Sequence, residues 1–220
     1  MNAVAHEANR QAKSLNRSLN AAKTSKQDEF YTQLSDIEKE LKYYTKHFKG
    51  KTVLCNCDDP RISNFFKYFV NNFEKLGLKK LITTCYKNEQ PDLFSKNDCE
   101  RGIYFEYSGE QARQRLPDPA KIKPREFKAN GDFRSEECVK LLQQADIVVT
   151  NPPFSLFREY VTQLVESGKK YLCIGNQGAI SYEEIFGPIK DNKVWMGCTH
   201  PIAFVVPENS NGKSQFNWKF

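Results

Sequence analysis

The stretch Asp146-Ile147-Val148-Val149-Thr150-Asn151-Pro152-Pro153-Phe154 constrains this chain more than any other. A short run rich in Val and Ile reads as a buried strand. It stops abruptly at two prolines, which have no backbone N–H to donate to a sheet ladder. Asn151 stands before a proline and is held in extended backbone geometry. The sequence therefore predicts an amide side chain and an aromatic ring fixed on a rigid turn at the carboxyl end of a strand. In open α/β sheets, ligands bind at that end.

Such a turn presents two acceptors, the Asn151 side-chain oxygen and a backbone carbonyl of the Asn-Pro-Pro turn. An exocyclic amine such as that of adenine has two hydrogens to give. With both accepted, the amine nitrogen is biased toward a tetrahedral form whose lone pair points outward, suited to attack on an electrophilic methyl group. Phe154 adds a face on which a planar ring can stack. The residues point to methyl transfer onto a planar amine, with Asn151, Pro152, Pro153 and Phe154 as the catalytic group. The bland alternative is that Asn-Pro-Pro is a turn and nothing more.

Asn151 to Phe154 matches the motif of amino-group methyltransferases that use S-adenosylmethionine. Further stretches carry a narrower likeness: residues 28–33, Cys55-Asn56-Cys57-Asp58-Asp59-Pro60-Arg61, residues 63–69, Gly131-Asp132-Phe133-Arg134-Ser135, and the run from Asp146 to Tyr160. Over roughly residues 26–208 the chain resembles the EcoRI-type adenine-specific DNA methyltransferases. Asn-Pro-Pro-Phe is shared with RNA and protein methyltransferases, whereas Cys-Asn-Cys-Asp-Asp-Pro is far more specific. The resemblance implies an α/β fold, a Rossmann-like methyltransferase sheet with flanking helices. It implies S-adenosylmethionine as methyl donor and double-stranded DNA as partner, and no metal is needed for the transfer. The target adenine has to leave the duplex, because its amine is otherwise paired and stacked. Two other readings stay open: an RNA adenine methyltransferase, and a non-catalytic fragment that binds cofactor or DNA.

The 220 residues suffice for one α/β domain with a core. A net charge of +6 suits a nucleic-acid partner without being diagnostic of one. No apolar run approaches the ~20 residues that span a bilayer, and the first residues lack the apolar stretch of a secretory signal. A cytoplasmic protein with no membrane partner is expected. Seven cysteines, an odd number without disulfide spacing, fit a reducing compartment. Cys55, Cys57, Cys198 and His200 would make four zinc ligands, but Cys-x-Cys is tighter than the usual spacing, and no metal site is expected.

Residues 1–27 carry Arg10, Lys13, Arg17, Lys23 and Lys26 against Glu7 and read as a flexible basic arm touching phosphates, or as a disordered tail. Phe30 and Tyr31 can flank a purine and Thr32 can hydrogen-bond it; the resemblance puts Tyr31 and Thr32 in the cofactor pocket. The alternative is a loop packing two aromatics on the core. Ser35-Asp36-Ile37-Glu38 has the capping-box pattern, and Ile37, Leu41, Tyr44 and Phe48 share one helical face, predicting a helix that Gly50 ends. Residues 51–57 predict the first sheet strand, followed by a helix that buries Ile62, Phe65, Phe66, Phe69, Val70 and Phe73. Strand, turn, helix is a nucleoside-binding geometry, yet no glycine lies between Gly50 and Gly77. S-adenosylmethionine has no phosphate and needs no anion cradle; its ammonium and sulfonium prefer acceptors and carboxylates. Cys55, Asn56, Asp58 and Asp59 are the cofactor candidates of this turn, with helix capping as the alternative for Asp59.

A second strand over 78–85 ends at Cys85-Tyr86-Lys87, without the acid that many methyltransferases place on the ribose. Residues 88–125 hold one strand candidate, 102–107, read as an insertion or a short ribbon. A third strand over 126–130 ends in Gly131-Asp132-Phe133. An acid that accepts from an amine and a ring that stacks suit adenine, and the resemblance places Asp132 and Phe133 on the adenine of the cofactor. The alternative is a tight turn plus a helix cap. Ser135 caps a helix to Gln144, and Ser155 starts another in which Arg158 reads as a surface charge. A fifth strand is expected over 170–175 and a short helix over 180–186, stopped by Gly187-Pro188. Two more strands, 193–198 and 202–206, joined by Thr199-His200-Pro201, would complete a seven-stranded sheet; His200 reads as a surface residue. The expected catalytic domain is 28–208, followed by a polar tail over 209–220. The region with which EcoRI-type enzymes help recognise their DNA sequence is expected to be missing, or supplied by a partner chain.

Overall fold

The computed structural model describes residues 31–56, 63–86, 102–109, 121–199 and 204–205. The expectations placed on the basic arm, Phe30, Cys57, Asp58, Asp59, His200 and the polar tail lie outside them. The chain enters through a short strand β1 (Tyr31–Thr32) and a helix α1 (Leu34–Leu41). The sheet then begins with β2 (Thr52–Cys55), followed by α2 (Asn64–Asn71) and a helical turn α3 (Phe73–Leu76). Next come β3 (Lys80–Cys85), β4 (Ile103–Tyr107) and β5 (Arg125–Glu126). The second half alternates α4 (Glu136–Gln144), β6 (Ile147–Thr150), α5 (Phe157–Ser167), β7 (Lys170–Cys173) and α6 (Glu183–Lys190), and β8 (Phe204–Val205) closes the described chain.

Among the described residues, six strands form one sheet in the order β5-β4-β3-β2-β6-β7. The strands β3, β2, β6 and β7 run parallel, while β4 and β5 are antiparallel additions at one edge. From β2 the chain moves outward to β3, then returns to place β6 on the other side of β2. The switch point therefore lies between β2 and β6, where a crevice opens beyond the carboxyl ends. Both of these central strands are buried along their whole length, as parallel strands covered by helices must be.

Side chains alternate between the two faces. Val53, Leu81 and Val149 join one cluster with Ile37 and Leu41 of α1 and the aromatic residues of α2. Leu54, Ile82 and Val148 join the other, with Leu141 and Leu142 of α4 and Tyr160 and Leu164 of α5. The helix α2 is capped by Ser63, whose hydroxyl accepts the Phe66 N–H at 3.2 Å, and it buries Phe65, Phe66, Tyr68, Phe69 and Val70. Each fully buried phenylalanine here stabilises the fold by roughly 1.5–3 kcal/mol. The rings also meet edge to face, Phe48 against Phe69 at 5.3 Å.

Several local expectations are corrected, each by a hydrogen bond from outside the local sequence pattern or by packing. The Ser35 capping box is not used: the Asp36 and Ile37 N–H groups both reach the Gln33 carbonyl at 3.1 Å, so α1 starts earlier. It ends at Leu41, not at Gly50; Gly50 instead takes φ +69° in the turn into β2, its N–H on the Gly77 carbonyl at 2.7 Å. The third strand shrinks to two residues because the Glu137 carboxylate accepts the N–H groups of Lys128 and Ala129. The 102–107 candidate is β4, paired with both β3 and β5.

The helix α6 runs through Gly187 and Pro188 instead of stopping there. Ile185 and Ile189, one turn apart, anchor it on Phe157 and Val161, and this packing overrides the two breakers. Residues 193–198 form no strand. The Cys198 and Thr199 N–H groups donate to the Glu40 carboxylate at 2.9 and 2.6 Å, which withdraws them from any ladder. The seven-stranded sheet is therefore six-stranded among the described residues, and β8 pairs antiparallel with β1 in a separate ribbon.

Gly102 sits where β4 enters the sheet, its N–H on the Ala129 carbonyl at 3.2 Å and its carbonyl receiving the Phe127 N–H at 2.8 Å. A Cβ there would stand 2.3 Å from the Asn130 carbonyl oxygen, so backbone would have to move. Gly102→Ala should lower the unfolding free energy by about 1–3 kcal/mol, measured by urea denaturation; an unchanged midpoint would show that the loop gives way freely.

Candidate active site

Asn56 is the first residue beyond β2 and is only 3 % exposed. Its side-chain oxygen accepts the Thr84 hydroxyl from β3, and its backbone carbonyl accepts the Thr150 hydroxyl from β6. The carboxyl ends of three adjacent strands are thus joined through one residue. The Ile174 N–H extends the link to the segment after β7 by bonding the Thr150 carbonyl at 3.1 Å. Buried bonds of this kind each contribute about 1 kcal/mol net, and orphaning one partner costs more.

Asn151 follows Thr150 directly and is 8 % exposed. Pro152 is buried as well. The Pro153 carbonyl accepts the Leu156 N–H at 3.1 Å, closing the 3-10 turn Phe154–Leu156 that leads into α5. The Pro152 carbonyl makes no hydrogen bond among the described residues. The turn therefore brings the Asn151 amide and an uncommitted carbonyl to the switch point.

On one face of this edge stands Thr32, whose backbone carbonyl accepts the Asn64 side-chain amide at 2.8 Å at the first residue of α2. Thr32 is buried, and among the described residues its hydroxyl has no hydrogen-bond partner. On the other face lies the loop 131–134. Gly131, at φ +77°, packs against the end of β3, where a Cβ would stand 2.9 Å from the Cys85 carbonyl oxygen. Asp132 receives both Nε and Nη2 of Arg134 at 2.9 and 2.7 Å, besides the Arg134 N–H at 2.8 Å. The Arg134 guanidinium holds the Asp132 carboxyl below the usual aspartate range, against the opposing effect of partial burial.

The sequence candidates divide accordingly. Asn151, Pro152, Thr32 and Asp132 gather around the carboxyl edge. The Cys55 thiol is buried in the core cluster under α2, and the Asn56 side chain belongs to the bracket just described. Phe133 is 6 % exposed and packs edge-on against Tyr160 at 5.1 Å, as part of the wall beneath the loop. The N-cap of α2 is Ser63, while Asp58 and Asp59 lie outside the described residues. Sequence reading passed over Thr84, Thr150, Arg134 and Glu159. Only the two-residue spacing of Asp132 and Arg134 hinted at a local side-chain to backbone turn. Among the described residues no group of three metal-ligating side chains occurs, and no helix is long and apolar enough to cross a membrane.

A mostly parallel α/β sheet with an Asn-Pro-Pro turn at its switch point is the architecture of a Rossmann-like methyltransferase. The sequence profile of the adenine-specific methyltransferase EcoRI family matches residues 18–219, and the chain belongs to that family. It is 51 % identical over 197 residues to the type II methyltransferase M.EcoRI of Escherichia coli, covering 88 % of this chain and 60 % of that protein. It is 41 % identical over 180 residues to M.MgeORF184P of Mycoplasma genitalium, covering 82 % and 50 %. With M.MpnI of Mycoplasma pneumoniae the identity is 39 % over 194 residues, covering 88 % and 54 %. The chain thus spans about half to three-fifths of the length of these relatives. No solved structure matches it.

Two outcomes follow from this geometry. Thr150→Val keeps the side-chain shape but removes the hydroxyl that bonds Asn56. It should cost about 1–3 kcal/mol in chemical denaturation, and a wild-type midpoint would contradict the bracket. Asp132 has a lowered folded-state pKa, so its pair with Arg134 stabilises the fold fully above the ordinary aspartate range. That contribution is lost as pH falls through the lowered value, below about pH 4. Asp132→Asn should therefore flatten the acid limb of a plot of melting temperature against pH, and an unaltered limb would refute the assignment.

Proposed function

We propose that this chain transfers a methyl group from S-adenosylmethionine to the exocyclic amine of adenine in double-stranded DNA. The observation that carries the reading is the buried Asn151 next to the Pro152 carbonyl, which accepts no hydrogen bond among the described residues, both at the switch point of the sheet. Family membership supports the reaction class and, in general, the methyl donor.

The residues present fit that donor. Thr32 offers a buried hydroxyl without a partner among the described residues, and Asp132 offers a preoriented carboxylate. In sequence, Asp58 and Asp59 supply two more carboxylates just after Asn56. S-adenosylmethionine, when bound, supplies a methyl group already activated by its sulfonium.

The protein's part is to hold and orient. The Asn151 side-chain oxygen and the Pro152 carbonyl take the two amine hydrogens of an adenine turned out of the duplex. This leaves the nitrogen lone pair free and aimed. The ring at position 154 is assigned to stacking on that base. Burial of Asn151 removes competing water, which strengthens both hydrogen bonds.

The test is transfer of labelled methyl to unmodified duplex DNA and, in parallel, to structured RNA. Label is expected as methylated adenine in DNA. Asn151→Ala should lower turnover by ~10²-fold or more with little change in cofactor affinity. Near-normal turnover in that variant would remove the mechanism, and label confined to RNA would replace the substrate.

A further inference from the structure

We infer that Arg134 is a positioning residue that ties the cofactor side of the site to the catalytic turn. The inference rests on the function proposed above. The Arg134 guanidinium reaches in two directions. Nε and Nη2 bond the two oxygens of Asp132 at 2.9 and 2.7 Å, and Nη1 bonds Glu159 at 2.8 Å. Glu159 lies in the first turn of α5, the helix that starts just after Asn151-Pro152-Pro153-Phe154. One side chain therefore spans from the loop assigned to the cofactor to the helix that grows out of the catalytic turn.

Two further contacts run along the same seam. The Gln163 amide of α5 donates to the Phe133 carbonyl at 3.2 Å, and the Arg134 guanidinium stands 5.2 Å over the Phe133 ring. The planar fork of arginine suits this position, because it pairs with a carboxylate through two parallel bonds and keeps a further donor for a second acid. A lysine ammonium at the same place would be a point charge without fixed direction. Removing the cation would also leave the Asp132 and Glu159 carboxylates as like charges on facing segments.

Magnitude decides where the effect should show. The Arg134 side chain is 53 % exposed, and exposed ion pairs add little to stability. Its main consequence is therefore orientation of Asp132 and of the α5 start, and the folding free energy it adds is only the small, acid-labile share of the Asp132 pair. Arg134→Ala should bind S-adenosylmethionine about 3–10-fold more weakly in calorimetry, a loss of about 0.7–1.4 kcal/mol, with a melting temperature near wild type. Arg134→Lys should not restore the affinity. Glu159→Gln keeps the Asp132 pair and should lower kcat on DNA while leaving cofactor affinity unchanged.

Wild-type binding with Arg134→Ala equally tight would overturn the inference alone. So would an affinity loss that merely follows a fallen melting temperature, or full recovery by Arg134→Lys. Failure of the wild-type chain to bind S-adenosylmethionine would overturn the functional reading and this inference with it.

Discussion

The carboxyl edge of the sheet depends on one buried asparagine. Asn56 sits where the chain leaves β2, out of reach of water, and its two oxygens must be satisfied by protein. Threonine hydroxyls from the strands on either side, Thr84 and Thr150, do this. Threonine at a strand end serves both needs, since its branched side chain suits the strand and its hydroxyl can point along the edge. Because Thr150 immediately precedes Asn151, the bracket that satisfies Asn56 also sets where the Asn-Pro-Pro turn begins.

The two faces of the sheet build the walls around that turn from different material. On one face, α2 is a block of aromatic rings capped by Ser63, and the Asn64 amide at its start holds β1 with Thr32 in place. On the other, α4 and α5 carry a smaller apolar cluster under the loop that presents Asp132. The first wall is held mainly by packing and the second by charge-assisted hydrogen bonds. Glu40 adds a separate tie: by accepting from Cys198 and Thr199 it fastens the segment before β8 to α1, and β8 in turn pairs with β1.

Much of this was legible in the sequence because it depends on local pattern. The Ile147–Thr150 run followed by two prolines gave a buried strand and a stop, and Ser135 gave the cap of α4. The aromatic spacing after Ser63 gave the buried face of α2. The misreadings share one cause, a partner distant in sequence or a packing anchor that outweighs the local signal. Nothing near 193–199 announces that Glu40 will take two of its amides, nothing near 128 announces Glu137, and Gly187-Pro188 reads as a stop until Ile185 and Ile189 are seen against Phe157. The candidate site follows the same division. The place of Asn151 and Pro152 at a strand end was readable from the local sequence, whereas the contacts of Asn56, Thr150 and Arg134 exist only through what the fold sets beside them.

The most direct measurement is a crystal structure of the chain with S-adenosylhomocysteine, the demethylated form of the methyl donor. The expected density lies beyond the carboxyl ends of β2 and β6, between Thr32 and Asp132, with the sulfur facing Asn151. Density elsewhere would contradict the placement of the site. The clearest such case would be the open groove between β4 and α4, lined by Tyr104, Phe127 and Lys140. The Asn56 bracket would then be a structural device with no bearing on catalysis.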